Sequence, residues 1–148
     1  MALSQTLATS FKVEILDGIH NFGTGVVRAT TAADTFKIAL YTSLASLDAS
    51  TTVYTTTAEV TGTGYTAGGS VLVPIAPASN TTANTAYVSF NNVTWSPAAF
   101  TCRGALIYNS TTGSAVCVLN FGSDKTCSNS FTVTFPADDA SNAVIRFS

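Results

Sequence analysis

Charge is what this sequence has least of. Asp, Glu, Lys and Arg make up 9% of its 148 residues, against roughly 25% in a typical soluble domain. Formal net charge is −2 and the sequence pI about 5.0, so no basic field draws the chain to nucleic acid or to an acidic membrane, and neither is expected as a partner. No run approaches the ~18 apolar residues of a membrane-spanning helix. The start, MALSQTLATS, has no basic n-region and no continuous apolar h-region, so it does not read as a secretory signal. Cysteine is scarce and odd in number: Cys102, Cys117 and Cys127. Without a C-x₂-C pair they lack the spacing of a zinc site, and reduced, buried thiols are the expectation.

Histidine occurs once, as His20. Any Ser-His-Asp or Cys-His system would have to use it. It sits beside a glycine turn with no nucleophile elbow and no cysteine-protease signature in the chain. The expected role is a turn histidine with local hydrogen bonds, and no catalytic residue is assigned. Asp138 and Asp139 are adjacent carboxylates in a turn. Neighbours in extended chain point oppositely, so the two make a poor acid/base pair. No metal ligand or cofactor-binding residue is assigned, although an oxygen-rich loop leaves calcium open. GTGYTAGG, residues 62–69, lacks the lysine of a phosphate-binding loop and no helix follows it, which leaves turn chemistry. Tyr54, Tyr65, Tyr87 and Trp95 would serve a sugar-binding platform, a core or an interface, and the last two uses are favoured.

What replaces charge is Thr, Ser, Asn, Ala and Gly, while hydrophobic residues stand at 46%. A surface so poor in charge is weakly protected against association; it fits a monomer kept soluble by hydroxyls and amides or, the favoured reading, a protein covered by neighbours in an assembly. The length suits one domain, residues 1–148, able to bury a core without disulfides.

Along the chain, Ser10 to Asp17 is the one stretch read as helix, with Phe11, Ile15 and Ile19 recurring at i, i+4 and i+8 and Gly18 as a stop; Phe11, Val13 and Ile15 equally fit a strand, and helix is preferred. Thr35 to Tyr41 predicts a strand with Phe36, Ile38 and Leu40 on one face. Residues 42–57 are polar and threonine-rich, and VYTTTAEV (53–60) fits an edge strand. Val71 to Ile75 reads as a strand, with Pro74 marking an edge or bulge. Ala76 to Thr85 reads as an exposed loop, and AYVSFNNVTW as a further strand region. The clearest hairpin joins TCRGALIYN to AVCVLNFG. Centring its turn near Thr111 and Thr112 pairs Tyr108 with Ala115, Leu106 with Cys117, Gly104 with Leu119 and Cys102 with Phe121. That register separates Cys102 from Cys117 and makes both faces apolar, so the ribbon should be central and covered on both sides, one cover being a second sheet or the helix, the other a partner subunit. SFTVTFP and AVIRFS close the chain as strands. The sum is an all-β fold: about eight strands in an antiparallel β-sandwich or jelly roll with a short N-terminal helix.

The segments SFKVEILDGIHNF, DTFKIALYTS, EVTGTGYTAGG, TWSPAAFTCRGALIYN and NFGSDKT, in this order, resemble a family of small virion structural proteins of tailed bacteriophages. The resemblance spans nearly the whole chain. It implies a capsid decoration (cement) protein, made in the host cytoplasm and carried on the capsid exterior, with the major capsid protein as partner. It carries no catalytic residues and no cofactor. A homo-oligomer, dimer or trimer, is expected. The contact devices would be the segment before Phe11, residues 42–57 and residues 76–85, which are longer than a hairpin requires. A tail or neck component and a host-surface carbohydrate-binding module are the alternatives.

Overall fold

The structure, a computed structural model, describes residues 3–8, 11, 15, 20–22 and 33–148. Alternating apolar residues from Phe36 onward build an all-β fold of short antiparallel strands. In chain order these are β1 (Thr6–Leu7), β2 (Phe36–Tyr41), β3 (Ser70–Leu72), β4 (Ala78–Asn80) and β5 (Thr85–Val88). There follow β6 (Val93–Trp95), β7 (Phe100–Asn109), β8 (Ala115–Cys127), β9 (Phe131–Val133) and β10 (Ile145–Phe147). They form a five-stranded sheet in the order β1-β8-β7-β2-β3, a three-stranded sheet β10-β5-β4 and a ribbon β6-β9. Among the described residues, ten strands in three sheets thus stand against the eight counted along the sequence. The predicted strand at 71–75 divides: its first part pairs with β2, and Pro74 then bridges to Phe90. Residues 53–60 make isolated bridges, Val53 to Ser114 and Glu59 to Tyr41, in place of the expected edge strand. Part of the expected loop at 76–85 is β4, exposed throughout.

The helix expected over Ser10–Asp17 lies largely outside the described residues. Two of its positions are described, Phe11 being buried and Ile15 half-buried.

The β7–β8 hairpin begins in the expected register, with Tyr108 opposite Ala115, and then slips by one: Ile107 faces Cys117, Leu106 faces Val118 and Gly104 faces Asn120. Val116 is the extra residue. Since strand side chains alternate, one residue of slip exchanges the faces of all that follow. Cys117 and Leu119 therefore share a face with Ile107 and Ala105, not with Leu106 and Tyr108. A second irregularity sets Phe121–Asp124 against Arg103 alone, and pairing resumes with Cys102 opposite Lys125. Cys102 and Cys117 are not cross-strand partners in this register either, and all three cysteines are free thiols.

Along Gly104–Asn109 every residue is buried, so the centre of the ribbon is covered on both faces. On the first face Phe36 stacks on Phe22 at 4.3 Å between ring centroids, with Phe90 and Phe11 alongside. The second face carries Tyr41, Leu106 and Tyr108. Its cover is the chain's own polar connection, residues 42–69, which takes the place foreseen for a partner subunit. Beyond the second irregularity the ribbon serves another apolar cluster, where Phe100 meets Phe131 and Trp95 across from β6-β9.

Candidate functional site

A threonine-rich connection with little apolar pattern has no reason of its own to lie flat on a sheet. Glu59 provides one. Its side chain is 9% exposed and accepts three hydrogen bonds: from the Tyr65 hydroxyl and the Gly68 amide at Oε1 (2.6 and 2.8 Å), and from the Tyr54 hydroxyl at Oε2 (2.6 Å). A buried carboxylate is tolerable only when its oxygens are satisfied in this way. The donors are tied to the sheet in turn. The Leu40 amide donates to the Tyr65 hydroxyl (2.8 Å), the Tyr108 hydroxyl to the Gly68 carbonyl (2.8 Å), and the Tyr41 hydroxyl to the Thr55 carbonyl. Tyr54 also stacks on Tyr108 at 4.7 Å. Four tyrosines from different parts of the chain thus surround one carboxylate.

Electrostatics follow from burial. Tyr54 and Tyr65 are pushed well above the ordinary 10.0, first by burial and then by their hydrogen bonds to Glu59. Tyr41 rises through burial and then through the nearby Glu59 charge. The cluster is a closed set of protonated donors around a satisfied acceptor, which suits anchoring rather than proton transfer.

Two glycines let the connection reach the sheet. Gly69 has φ +71°, and a Cβ there would collide with the Ile38 carbonyl; Gly64 has φ +78° and stands in the same relation to the Pro97 carbonyl. The tract is turn chemistry, made obligatory by close approach of two backbones.

With its inner side fixed, the connection presents its outer side to solvent. Asp48 organises one turn, accepting from the Ser50 amide (2.7 Å) and hydroxyl (2.6 Å), and these bonds hold its carboxyl below the ordinary value. Ala45 and Leu47 turn inward, whereas Leu44 is 78% and Val53 57% exposed among exposed serines and threonines. Val71 and Val73, on β3 and its continuation, are exposed as well. Leu44, Val53, Val71 and Val73 thus stand outward on a surface nearly free of charge.

The residues weighed for chemistry lie apart. His20 is buried against Phe11 at 4.8 Å, and its Nδ1 accepts from Asn109 Nδ2 over 3.1 Å. Asn109 is oriented by the Thr111 and Thr112 amides, which donate to its Oδ1, while its Nδ2 also donates to Asp34. His20 thus has a partner 89 residues away along the chain. Asp139 spends its carboxylate within its own turn, on Ser141 and Asn142, and those bonds lower its pKa. The Asp138 Oδ1 is enclosed without a hydrogen bond. Among the described residues no three His, Cys, Asp or Glu side chains gather as metal ligands. Burial pushes the Cys102 and Cys117 thiols up to about 12.

Of the four aromatics considered for a sugar platform, Tyr54 and Tyr65 belong to the Glu59 cluster. Trp95 is buried against Phe131 at 6.1 Å, and Tyr87 stands on β5. Tyr65 also meets Trp95, at 6.2 Å between ring centroids, and Trp95 itself is buried. No periodicity marks Glu59 in the sequence; its signal is a lone acid flanked by Tyr54 and Tyr65, residues 49–69 being otherwise uncharged.

No protein-family model, characterised protein or solved structure matches this chain.

Proposed function

We propose that this protein is a capsid decoration, or cement, protein of a tailed bacteriophage. It binds the shell of the major capsid protein from outside and stabilises the head by bridging neighbouring subunits. The observation that carries the reading is the anchored loop of residues 42–69, which holds Leu44 and Val53 outward on a surface nearly free of charge. Such a loop is ordered before it meets a partner, so little conformational entropy is lost on contact. The sandwich-like stacking of sheets supplies the rigid support. Residues 76–84, exposed throughout, extend the contact area.

Specific interfaces bury about 1,000 Å² or more, and repetition over a symmetric shell multiplies a modest contact through avidity. A homo-oligomer at the symmetry axes would add to that. Composition analysis of purified tail-less heads tests the assignment. A decoration protein is present there in many copies; a protein confined to tails, which belongs to the neck or tail instead, is missing.

A further inference from the structure

Five half-buried apolar side chains converge on one space at the β1–β8 side of the molecule. Leu7, Leu119 and Phe121 come from the edge of the five-stranded sheet, Phe135 and Val144 from the segments flanking β9 and β10. The cleft between them has a volume of about 410 Å³, within the range of sites that enclose a small ligand or a pair of peptide side chains. Among the described residues that line it, Arg146 carries the only charge. One guanidinium nitrogen of Arg146 donates to the Ser141 carbonyl. Asp139 lies near enough for the Arg146 charge to help lower its pKa, but its oxygens are hydrogen-bonded to Ser141 and Asn142 and make no ion pair with the guanidinium. A guanidinium has five N–H donors in a planar fork suited to a carboxylate, so donors are left over at the mouth of a cleft lined otherwise by apolar and neutral polar side chains.

We infer that this cleft binds an acidic–apolar peptide segment of a partner protein: a large apolar side chain enters between the sheets while an adjacent carboxylate pairs with Arg146. The inference deepens the cement reading, and rests on it for the identity of the partner, by naming what the contacting segment of the shell protein must present. The partner chemistry follows from charge complementarity. Leu7, Leu119, Phe121, Phe135 and Val144 ask for an apolar group, and Arg146, the one charged side chain among the described residues lining the cleft, asks for an acid.

The test uses the full chain and two blocked dipeptide probes, N-acetyl-phenylalanyl-aspartyl amide and its asparaginyl analogue, titrated by amide NMR. The acidic probe should bind about 3–5-fold more tightly, as a partly exposed ion pair allows. Its shifts should centre on Leu119, Phe121 and Val144. In Arg146→Gln the two probes should bind equally, and in Arg146→Lys part of the preference should return. Equal binding of both probes to the unaltered protein would overturn the inference, as would shifts centred on Leu44 or Val71. Phenylacetate binding as tightly as the dipeptide would also overturn it, in favour of a small-molecule site. Peptide binding without any binding to phage shells would leave this site standing and remove the cement reading; shell binding that Arg146→Gln leaves intact, with no probe bound, would do the reverse.

Discussion

The Tyr65 hydroxyl donates to Glu59 Oε1 over 2.6 Å, and the bond joins the long polar connection to the sheet it covers. Glu59→Gln keeps the shape but sets an amide N–H₂ against hydroxyl donors. It should cost about 3 kcal/mol, as expected when a buried charged hydrogen-bond group loses its match. Tyr54→Phe removes one charge-assisted bond and should cost about 1.5–3 kcal/mol. Tyr65→Phe should cost more, because it also leaves the Leu40 amide without its acceptor. Urea unfolding midpoints at neutral pH give all three values.

Alkaline pH should weaken the fold over a defined window. The Cys102 and Cys117 thiols are buried and raised from 9.0 to about 12. Below pH 9 they are neutral in both folded and unfolded chains, and their contribution is fully present. Between pH 9 and about 12 the unfolded chain ionises while the folded one does not. Stability then falls with rising pH by up to about 1.4 kcal/mol per unit for each thiol. Tyr41, Tyr54 and Tyr65, all raised above 10.0, add to the loss at the upper end. Unfolding curves at pH 8 and pH 10.5 should show the fall, and Cys117→Ala should make it shallower.

Two glycines of similar φ should differ sharply in tolerance. Gly69 (φ +71°) lies against the Ile38 carbonyl, and Gly69→Ala should cost about 3 kcal/mol or more through collision and backbone strain together. Gly113 (φ +84°) in the β7–β8 turn has open space where a Cβ would stand, so Gly113→Ala should cost only the left-handed penalty of about 1–2 kcal/mol. Thermal unfolding of the two variants side by side measures the difference.

Trp95, the single tryptophan, is 6% exposed and packs between Phe100 and Phe131. Its emission should be blue-shifted and poorly quenched by acrylamide in the folded protein. Phe100→Ala should shift it toward that of the unfolded chain and lower stability by about 3–5 kcal/mol. An unshifted, freely quenched emission in the unaltered protein would contradict this packing.

How far the fold was legible differs from element to element. Strand β2 and the β7–β8 hairpin were readable because Phe36, Ile38 and Leu40 alternate and the turn at Thr111–Thr112 is well marked. The slip at Val116 was not, since a bulge leaves the alternating pattern of an apolar run unchanged while exchanging its faces. Residues 42–69 looked like a surface passage because their order comes from Tyr41, Tyr54, Tyr65, Tyr108 and Glu59, which meet only after the sheet has formed. The same is true of His20, whose partner Asn109 stands at the far end of β7. Local patterns give strands; long-range polar networks have no period to read.

The central claim is tested most directly by adding the purified protein to phage heads stripped of it, then measuring cosedimentation and survival under heat or osmotic shock. The cement reading predicts saturable binding, heads that resist higher temperatures, and loss of both effects when Leu44 and Val53 are changed together to lysine while the fold is retained. Heads that take up no protein, or that bind it with no gain in resistance, would contradict it.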